Sequence, residues 1–355
     1  MTRYVRGYGA KCASSDLTFL PVPIRALREC DVEINILYCG LCHTDVHMVK
    51  DDWRATRYPV VPGHEIVGRV VQIGRGVSKY DVGDLVGVGC MVDSCERCIP
   101  CTRGLQQYCE EGASWTYNGV DRQDGNPTYG GFSERIVVKE QFVLRIHPSL
   151  TPAAAAPLLC AGVTVFSPLK HWRVSDGSRV GVVGLGGLGH LAVKLSVALG
   201  AEVTVFTRSA EKESEARKLG ASHVVVGGPS QQSSGLVEKL DVVIDTVPVS
   251  HSLDMYISRL SLDGVLVIVG LLENLQESLN VDLLVSGRRA VTGSAIGGIA
   301  ETQELLDLCA ARGIEANIEL IGVNELQHAV EDLRSGSVDR RFVVDMSSMT
   351  QTELS

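Results

Sequence analysis

The chain has 355 residues, and at about 150 residues per domain two domains are expected. Its 33 Lys and Arg against 42 Asp and Glu give a net charge of −9, which leaves no basic excess for nucleic acid or an anionic membrane. At 45% hydrophobic and 21% charged residues the composition excludes a disordered chain, and an odd eleven cysteines exclude a fully paired disulfide framework. Met1–Gly7 lacks the apolar core of a signal peptide. The best apolar run, Ala153–Phe166, falls short of the ~20 residues of a membrane span and is broken by Pro157 and Gly162. A thiol-rich cytoplasmic enzyme is the expectation.

Taken in chain order, Val32–Tyr38, Gly63–Ile73, Leu85–Cys90 and Phe132–Ile146 are short β-branched runs between glycine turns. Strands at such close spacing predict a small antiparallel barrel or sandwich. The pattern then changes. Val180–Val183 reads as a buried strand, His190–Leu199 as a helix and Glu202–Phe206 as a strand. A helix at Glu211–Leu219 and strands at His223–Val226, Asp241–Thr246 and Gly264–Val269 follow. Strands alternating with helices predict a parallel, doubly wound α/β sheet. Glu301–Arg312 closes the pattern as a helix and Arg341–Asp345 as a strand. The chain therefore reads as a first domain over 1–156 completed by 294–355, with a second inserted over 157–293.

Cys95, Cys98, Cys101 and Cys109 form C-x2-C-x2-C-x7-C in a polar, turn-rich stretch. Four thiolates at that spacing close a tetrahedral zinc shell with no open position, which implies a structural site. An iron–sulfur cluster is the chemical rival, and four unrelated reduced thiols the plainer alternative. A second set is more dispersed. Cys42 and His64 supply a thiolate and an imidazole, and Cys160, at the junction of the two blocks, is the candidate third ligand. Two cysteines and one histidine leave the fourth position of a zinc ion open, as catalysis requires. Asp45 is placed to orient His64 from behind and Glu65 to stand in for the water. Spacing alone leaves this set open, because Cys160 in an apolar run also reads as a buried small hydrophobe.

The segment Gly184-Leu185-Gly186-Gly187-Leu188-Gly189 ends a strand in G-x-G-x-x-G and opens a helix, as a dinucleotide loop does. Its glycines serve the turn, the approach of a pyrophosphate and close helix packing, and the helix N-terminus faces the phosphate charge. An NAD site puts an acid at the end of the next strand. Here Thr207-Arg208-Ser209 stands there, with Lys212 one turn on, and Glu202 lies at the wrong end of the strand. A hydroxyl, a guanidinium and an amine suit a 2′-phosphate, so NADP(H) is expected. Arg208 and Lys212 as ordinary solvated charges would leave the missing acid unexplained.

These residues resemble the zinc-dependent medium-chain alcohol dehydrogenases, above all the cinnamyl alcohol dehydrogenases and broad-specificity microbial aldehyde reductases. The likeness runs from Tyr38–Asp45 through Trp115–Asn118, Asp124–Thr128, Gly130–Phe132, Leu158–Gly162 and Gly293–Gly298 to Arg341–Asp345. It implies a GroES-like β-barrel catalytic domain, a Rossmann coenzyme domain, an active site in the cleft between them and a dimer formed through the Rossmann sheet edges. It also implies catalytic zinc on Cys42, His64 and Cys160 with Glu65 adjacent, and structural zinc on the cysteine quartet. By the same likeness Thr44 bonds the substrate oxygen, His47 relays its proton, and His43 and Arg341 touch the pyrophosphate. Trp53, Cys90, Trp115, Ala295 and Ile296 line the implied substrate pocket. Trp53 and Ala295 depart from the plant enzymes, which points to a generalist reductase of aromatic and aliphatic aldehydes rather than a cinnamyl alcohol specialist. The competing readings are an NAD-dependent polyol or secondary-alcohol dehydrogenase, and a non-catalytic NADPH-binding redox sensor. Cys12, Cys30, Cys39 and Cys309 receive no role.

Overall fold

Strand β1 (Arg3–Gly9) pairs antiparallel with β2 (Thr18–Ile24) in a computed structural model that describes residues 3–227, 239–270, 278–335, 338 and 340–350. The chain divides into two compact units, Met1–Cys160 with Gly297–Ser355, and Ala161–Ile296. These bounds fall a few residues beyond those read from the sequence. Pro157–Cys160 stays with the first unit because Ala156–Leu159 is buried there, with Leu159 packed against Gly87.

In the first unit β3 (Asp31–Gly40), β4 (Ile66–Ile73), β5 (Leu85–Val88), β8 (Arg135–Lys139) and β9 (Leu144–Arg145) build a mostly antiparallel sheet, while β6 (Met91–Asp93) and β7 (Ser114–Trp115) pair separately. The run Phe132–Ile146 is thus two strands, interrupted by a 3-10 turn at Glu140–Phe142. Strand β3 is the centre of the sheet. Its first half pairs with β8, its length with β4, and its last residues with a strand from the far end of the chain. Irregular register between β3 and β4 at Glu33/Ile34 and Ile36/Tyr38 bends the pair, as bulges do.

The second unit carries β10 (Arg179–Val183), β11 (Glu202–Thr207), β12 (His223–Val226), β13 (Leu240–Asp245), β14 (Leu260–Ile268) and β15 (Ala290–Gly293). All pairings are parallel, in the order β12-β11-β10-β13-β14-β15, the doubly wound pattern with its reversal beside β10. The inner strands β10, β11 and β13 are near-continuous buried runs because both of their faces are covered, whereas the edge strands β12 and β15 are partly exposed.

The first unit resumes with helix Ile299–Arg312, β16 (Ile318–Gly322), helix Leu326–Ser335 and β17 (Arg341–Asp345). Strand β17 lies antiparallel to the end of β3, and the Leu41 amide donates to the Phe342 carbonyl at 2.9 Å. That register brings Arg341 beside the segment Gly40–Cys42. Among the described residues no single helix is long and apolar enough to cross a membrane, and Ala153–Phe166 is buried throughout.

Candidate active site and metal centres

Cys42 caps the N-terminus of helix His43–Lys50, and His64 and Glu65 sit immediately before β4. Cys160 ends the apolar run Ala156–Leu159. The ligand atoms of Cys42, His64, Glu65 and Cys160 all lie within 4.8 Å of one another, every one of the four residues buried. His64 Nε2 and Cys160 Sγ are 3.3 Å apart. Behind them Asp45, fully buried, accepts from the Cys42 amide at 2.8 Å, the Gly63 amide at 3.0 Å and His64 Nδ1 at 3.1 Å. Donating Nδ1–H to a carboxylate leaves Nε2 as the ligand nitrogen, the arrangement that metal-bound histidines adopt.

Electrostatics in this pocket follow from the exclusion of water. The Cys42 thiol is held well below its usual range, first by the hydrogen bond from Cys160 and despite burial. Cys160 is driven correspondingly up by the same contact. Burial alone would pull His64 down, but the Asp45 charge and hydrogen bond raise it well above the ordinary histidine range. Burial lifts Glu65 to about 7, opposed by the guanidinium of Arg341. Arg341, 3% exposed, forms an ion pair with Glu65 Oε1, while Glu65 Oε2 and Arg341 Nε have no hydrogen-bond partner. A buried carboxylate oxygen left open beside two sulfurs and an imidazole is the donor set of a zinc site, so the residues fit that ion.

The quartet is built differently. Cys95, Cys98, Cys101 and Cys109 also converge within 4.8 Å, but Cys95 and Cys98 are partly exposed. Their sulfurs collect backbone donors from their own turns: the Cys98 amide to Cys95 Sγ at 3.3 Å, the Cys95 amide to Cys109 Sγ at 3.4 Å and the Glu110 amide to Cys98 Sγ at 3.5 Å. Backbone donors, first that of Arg97, lower the Cys95 thiol to about 7, whereas burial raises Cys101 to about 12. Four sulfurs leave no open position and suit a structural ion. The lobe also grips helix Ile299–Arg312. Gln106 Oε1 accepts from the Ile299 amide at 3.2 Å, and a side chain on Gly298 would sit 1.7 Å from the Gly104 carbonyl oxygen.

Around the first cluster, Thr44 is half-buried in the opening turn of helix His43–Lys50. His47 Nδ1 lies 2.8 Å from Asp52 Oδ2, and its ring is tilted against Trp53 with centroids 4.9 Å apart. His43 Nε2 bonds the Leu333 carbonyl at 3.2 Å. Trp53 and Trp115 are 40% and 43% exposed, and Cys90 is half-buried. Arg341, expected to touch the pyrophosphate, forms a buried ion pair with Glu65 beside the donor cluster.

In the second unit Gly184 adopts φ +86°, and a Cβ on Gly189 would lie 2.1 Å from the Gly184 carbonyl oxygen, so glycine is required at both. Gly186 meets nothing within 4 Å, which leaves its backbone open to a ligand. Leu185 is buried, Gly187 and Leu188 are partly exposed, and the helix begins at Gly189. Lys212 Nζ donates to the Leu185 carbonyl at 3.0 Å, linking the loop to the Thr207–Ser209 turn. There the Ser209 amide donates to Thr207 Oγ1 at 3.2 Å and Arg208 is exposed. Glu202 starts β11 and bonds His223, at the opposite end from Arg208. Ala295 is exposed and Ile296 holds φ +37°, a left-handed conformation rare for a β-branched residue.

Residues 28–148 match the alcohol dehydrogenase GroES-like domain and residues 187–311 the zinc-binding dehydrogenase family. The aldehyde reductase YahK of Escherichia coli is 46% identical over 347 residues, 98% of this chain and 99% of that protein. This chain belongs to the zinc-dependent medium-chain alcohol dehydrogenases. Among solved members, a cinnamyl alcohol dehydrogenase of Sorghum bicolor superposes with a TM-score of 0.92 at 41% identity, covering 97% of this chain and 98% of that one. The CAD of Helicobacter pylori complexed with NADP(H) gives 0.91 at 39% identity, over 98% and 99%.

For this alcohol dehydrogenase the sequence reading missed two partners of the donor cluster. Arg341 meets Glu65 across 276 positions, a separation at which nothing local signals a contact. Tyr117 stacks on His64 at 5.8 Å, although Trp115–Asn118 had stood out only as a family stretch.

Proposed function

We propose that the chain is a zinc-dependent NADP(H) alcohol dehydrogenase that reduces aromatic and aliphatic aldehydes and, in reverse, oxidises primary alcohols. The observation that carries this reading is the convergence of Cys42, His64, Glu65 and Cys160 on one buried point, with Asp45 fixing the imidazole. Cys42, His64 and Cys160 hold the catalytic zinc, and Cys95, Cys98, Cys101 and Cys109 the structural one. Zinc bound at the first site supplies a Lewis acid for an alcohol or carbonyl oxygen, and the coenzyme supplies the hydride.

The protein's own residues manage orientation and protons. Asp45 holds Nε2 of His64 toward the sulfurs, and Arg341 neutralises Glu65, whose charge would otherwise be unpaired at the cluster. The Thr44 hydroxyl passes the substrate proton towards His47, which reaches solvent and is steered by Asp52. Backbone amides from Gly184 to Gly189 cradle the pyrophosphate, and Thr207, Arg208, Ser209 and Lys212 take the 2′-phosphate. Trp53, Cys90 and Trp115 wall the substrate, the tryptophans offering flat apolar faces to varied aldehydes. A cytoplasmic homodimer completes the proposal. Its support is that β15 ends the sheet, and Leu262, Val281 and Val285 from the second unit are exposed apolar residues.

Metal analysis with a screen of both coenzymes against benzaldehyde, cinnamaldehyde, aliphatic aldehydes and polyols tests the reading. Two zinc ions per chain and NADPH-dependent aldehyde reduction are expected. Arg208→Ala should raise the KM for NADPH by about tenfold to a hundredfold with little change in kcat, as loss of a charge-assisted hydrogen bond does. Preference for NAD, or no aldehyde turnover by zinc-loaded protein, would overturn it.

A further inference from the structure

Trp53 and Trp115 stand on segments of unlike firmness. Trp115 ends β7, and the turn after it is closed on itself and on its own unit. Thr128 Oγ1 donates to the Trp115 carbonyl at 2.8 Å and accepts from the Gly119 amide at 2.9 Å, and the Thr116 amide donates to the Cys90 carbonyl at 2.9 Å. A Cβ on Gly119 would lie 2.8 Å from the Trp115 carbonyl oxygen, so the chain is closely folded there. Trp53 sits on the loop after helix His43–Lys50, where Asp52, Trp53, Arg54, Ala55 and Arg57 are all exposed and little apolar packing fixes them. That loop's own ties stay local: Asp51 Oδ1 accepts from the Thr56 amide at 2.9 Å, and Thr56 Oγ1 donates to the Met48 carbonyl at 2.7 Å.

Asn118 joins the two segments. Its Oδ1 accepts from the Arg57 amide at 2.8 Å and its Nδ2 donates to the Ala55 carbonyl at 3.1 Å, so one planar amide pairs with the loop as a neighbouring strand would. The backbone partners fix which end is which, because the reversed amide would set N–H against N–H and oxygen against oxygen. Asn118 holds φ +53°, a conformation asparagine adopts more readily than most residues. An exposed loop left free samples many conformations, and ordering it on each binding event costs affinity. A loop already pinned has met that cost before the substrate arrives.

We infer that Asn118 is a positioning residue for substrate selection: it pins the Trp53 loop to the Trp115 turn, so that both aromatic faces are preorganised for an aldehyde with an extended aromatic body. The inference rests on reading the two tryptophans as pocket walls, and it adds what holds one to the other.

The test compares reduction of cinnamaldehyde and acetaldehyde by the zinc-loaded full chain with NADPH. Asn118→Gly removes both bonds and leaves the left-handed backbone unstrained. It should raise the KM for cinnamaldehyde about tenfold with kcat little changed, and move the KM for acetaldehyde, too small to span two rings, by less than about twofold. Asn118→Asp keeps the side chain's size but sets a carboxylate oxygen against the Ala55 carbonyl, and should give the same aromatic-selective rise. Because Asn118 acts through Trp53, Trp53→Ala should raise the cinnamaldehyde KM by itself and leave Asn118→Gly with no further effect in the double variant. Equal losses on both aldehydes, an unchanged cinnamaldehyde KM in both Asn118 variants, or additive effects in the double variant overturn the inference. A wild-type chain that reduces neither aldehyde overturns the proposed function itself, and this inference falls with it.

Discussion

Cys95, Cys98, Cys101 and Cys109 come from one short stretch and take their hydrogen bonds from its own turns. Cys42, His64, Glu65 and Cys160 come from separate parts of the chain and depend on Asp45 and Arg341 to hold and neutralise them. Both clusters gather their ligand atoms within 4.8 Å, yet one is a partly exposed lobe and the other is sealed. The difference is physical. A closed set of sulfurs needs only to be near one another, whereas a reactive site needs donors with fixed tautomer, charge and direction, and that takes a surrounding shell.

Removing one sulfur from each cluster is the strongest test of this contrast. Cys42→Ala or Cys160→Ala should cut turnover by at least roughly 10³-fold, the several kcal/mol that a Lewis acid contributes, while circular dichroism stays unchanged. Cys98→Ser should do the reverse, lowering the thermal midpoint by about 10 °C while the folded fraction keeps most of its kcat. A Cys98→Ser protein that is inactive yet thermally normal would break the distinction.

The pH dependence sharpens it further. His64 and Cys160 both have raised pKa values, so each holds its proton to higher pH than an unperturbed group. Zinc must displace those protons, so its affinity for the buried site should rise with pH and weaken as pH falls through neutrality. Calorimetry in buffers of different ionisation enthalpy should record more than about one proton released per zinc at this site near pH 7. Release of none would show that the imidazole and thiol are already free. The smallest effect belongs to Gln106→Ala, which removes one side-chain acceptor from helix Ile299–Arg312. A cost of about 1 kcal/mol, or some 2–4 °C in the midpoint, is expected, with metal content unaltered at both clusters.

Periodicity disclosed much of the fold because the coenzyme unit is built from locally coded pieces. Strand β10, the glycine loop and the next helix follow one another in the chain, and Gly184 and Gly189 are demanded by backbone geometry alone. Strand ends were less visible. Phe132–Ile146 reads as one run, and only the 3-10 turn at Glu140–Phe142 separates β8 from β9. The partners of the donor cluster were legible unevenly: Asp45 lies on the same helix that Cys42 caps, so its role could be read from proximity. Arg341 arrives through the pairing of β17 with β3, and no sequence pattern near Glu65 announces it.

The sequence by itself determined which atoms are available: the four clustered sulfurs, the dispersed thiol–imidazole set, and a loop followed by Arg208 where an acid would select the other coenzyme. Tertiary structure decided which of them meet. Long-range strand register brings Arg341 to Glu65, and the exclusion of water around His64 and Glu65 sets their protonation; neither can be read from neighbours along the chain.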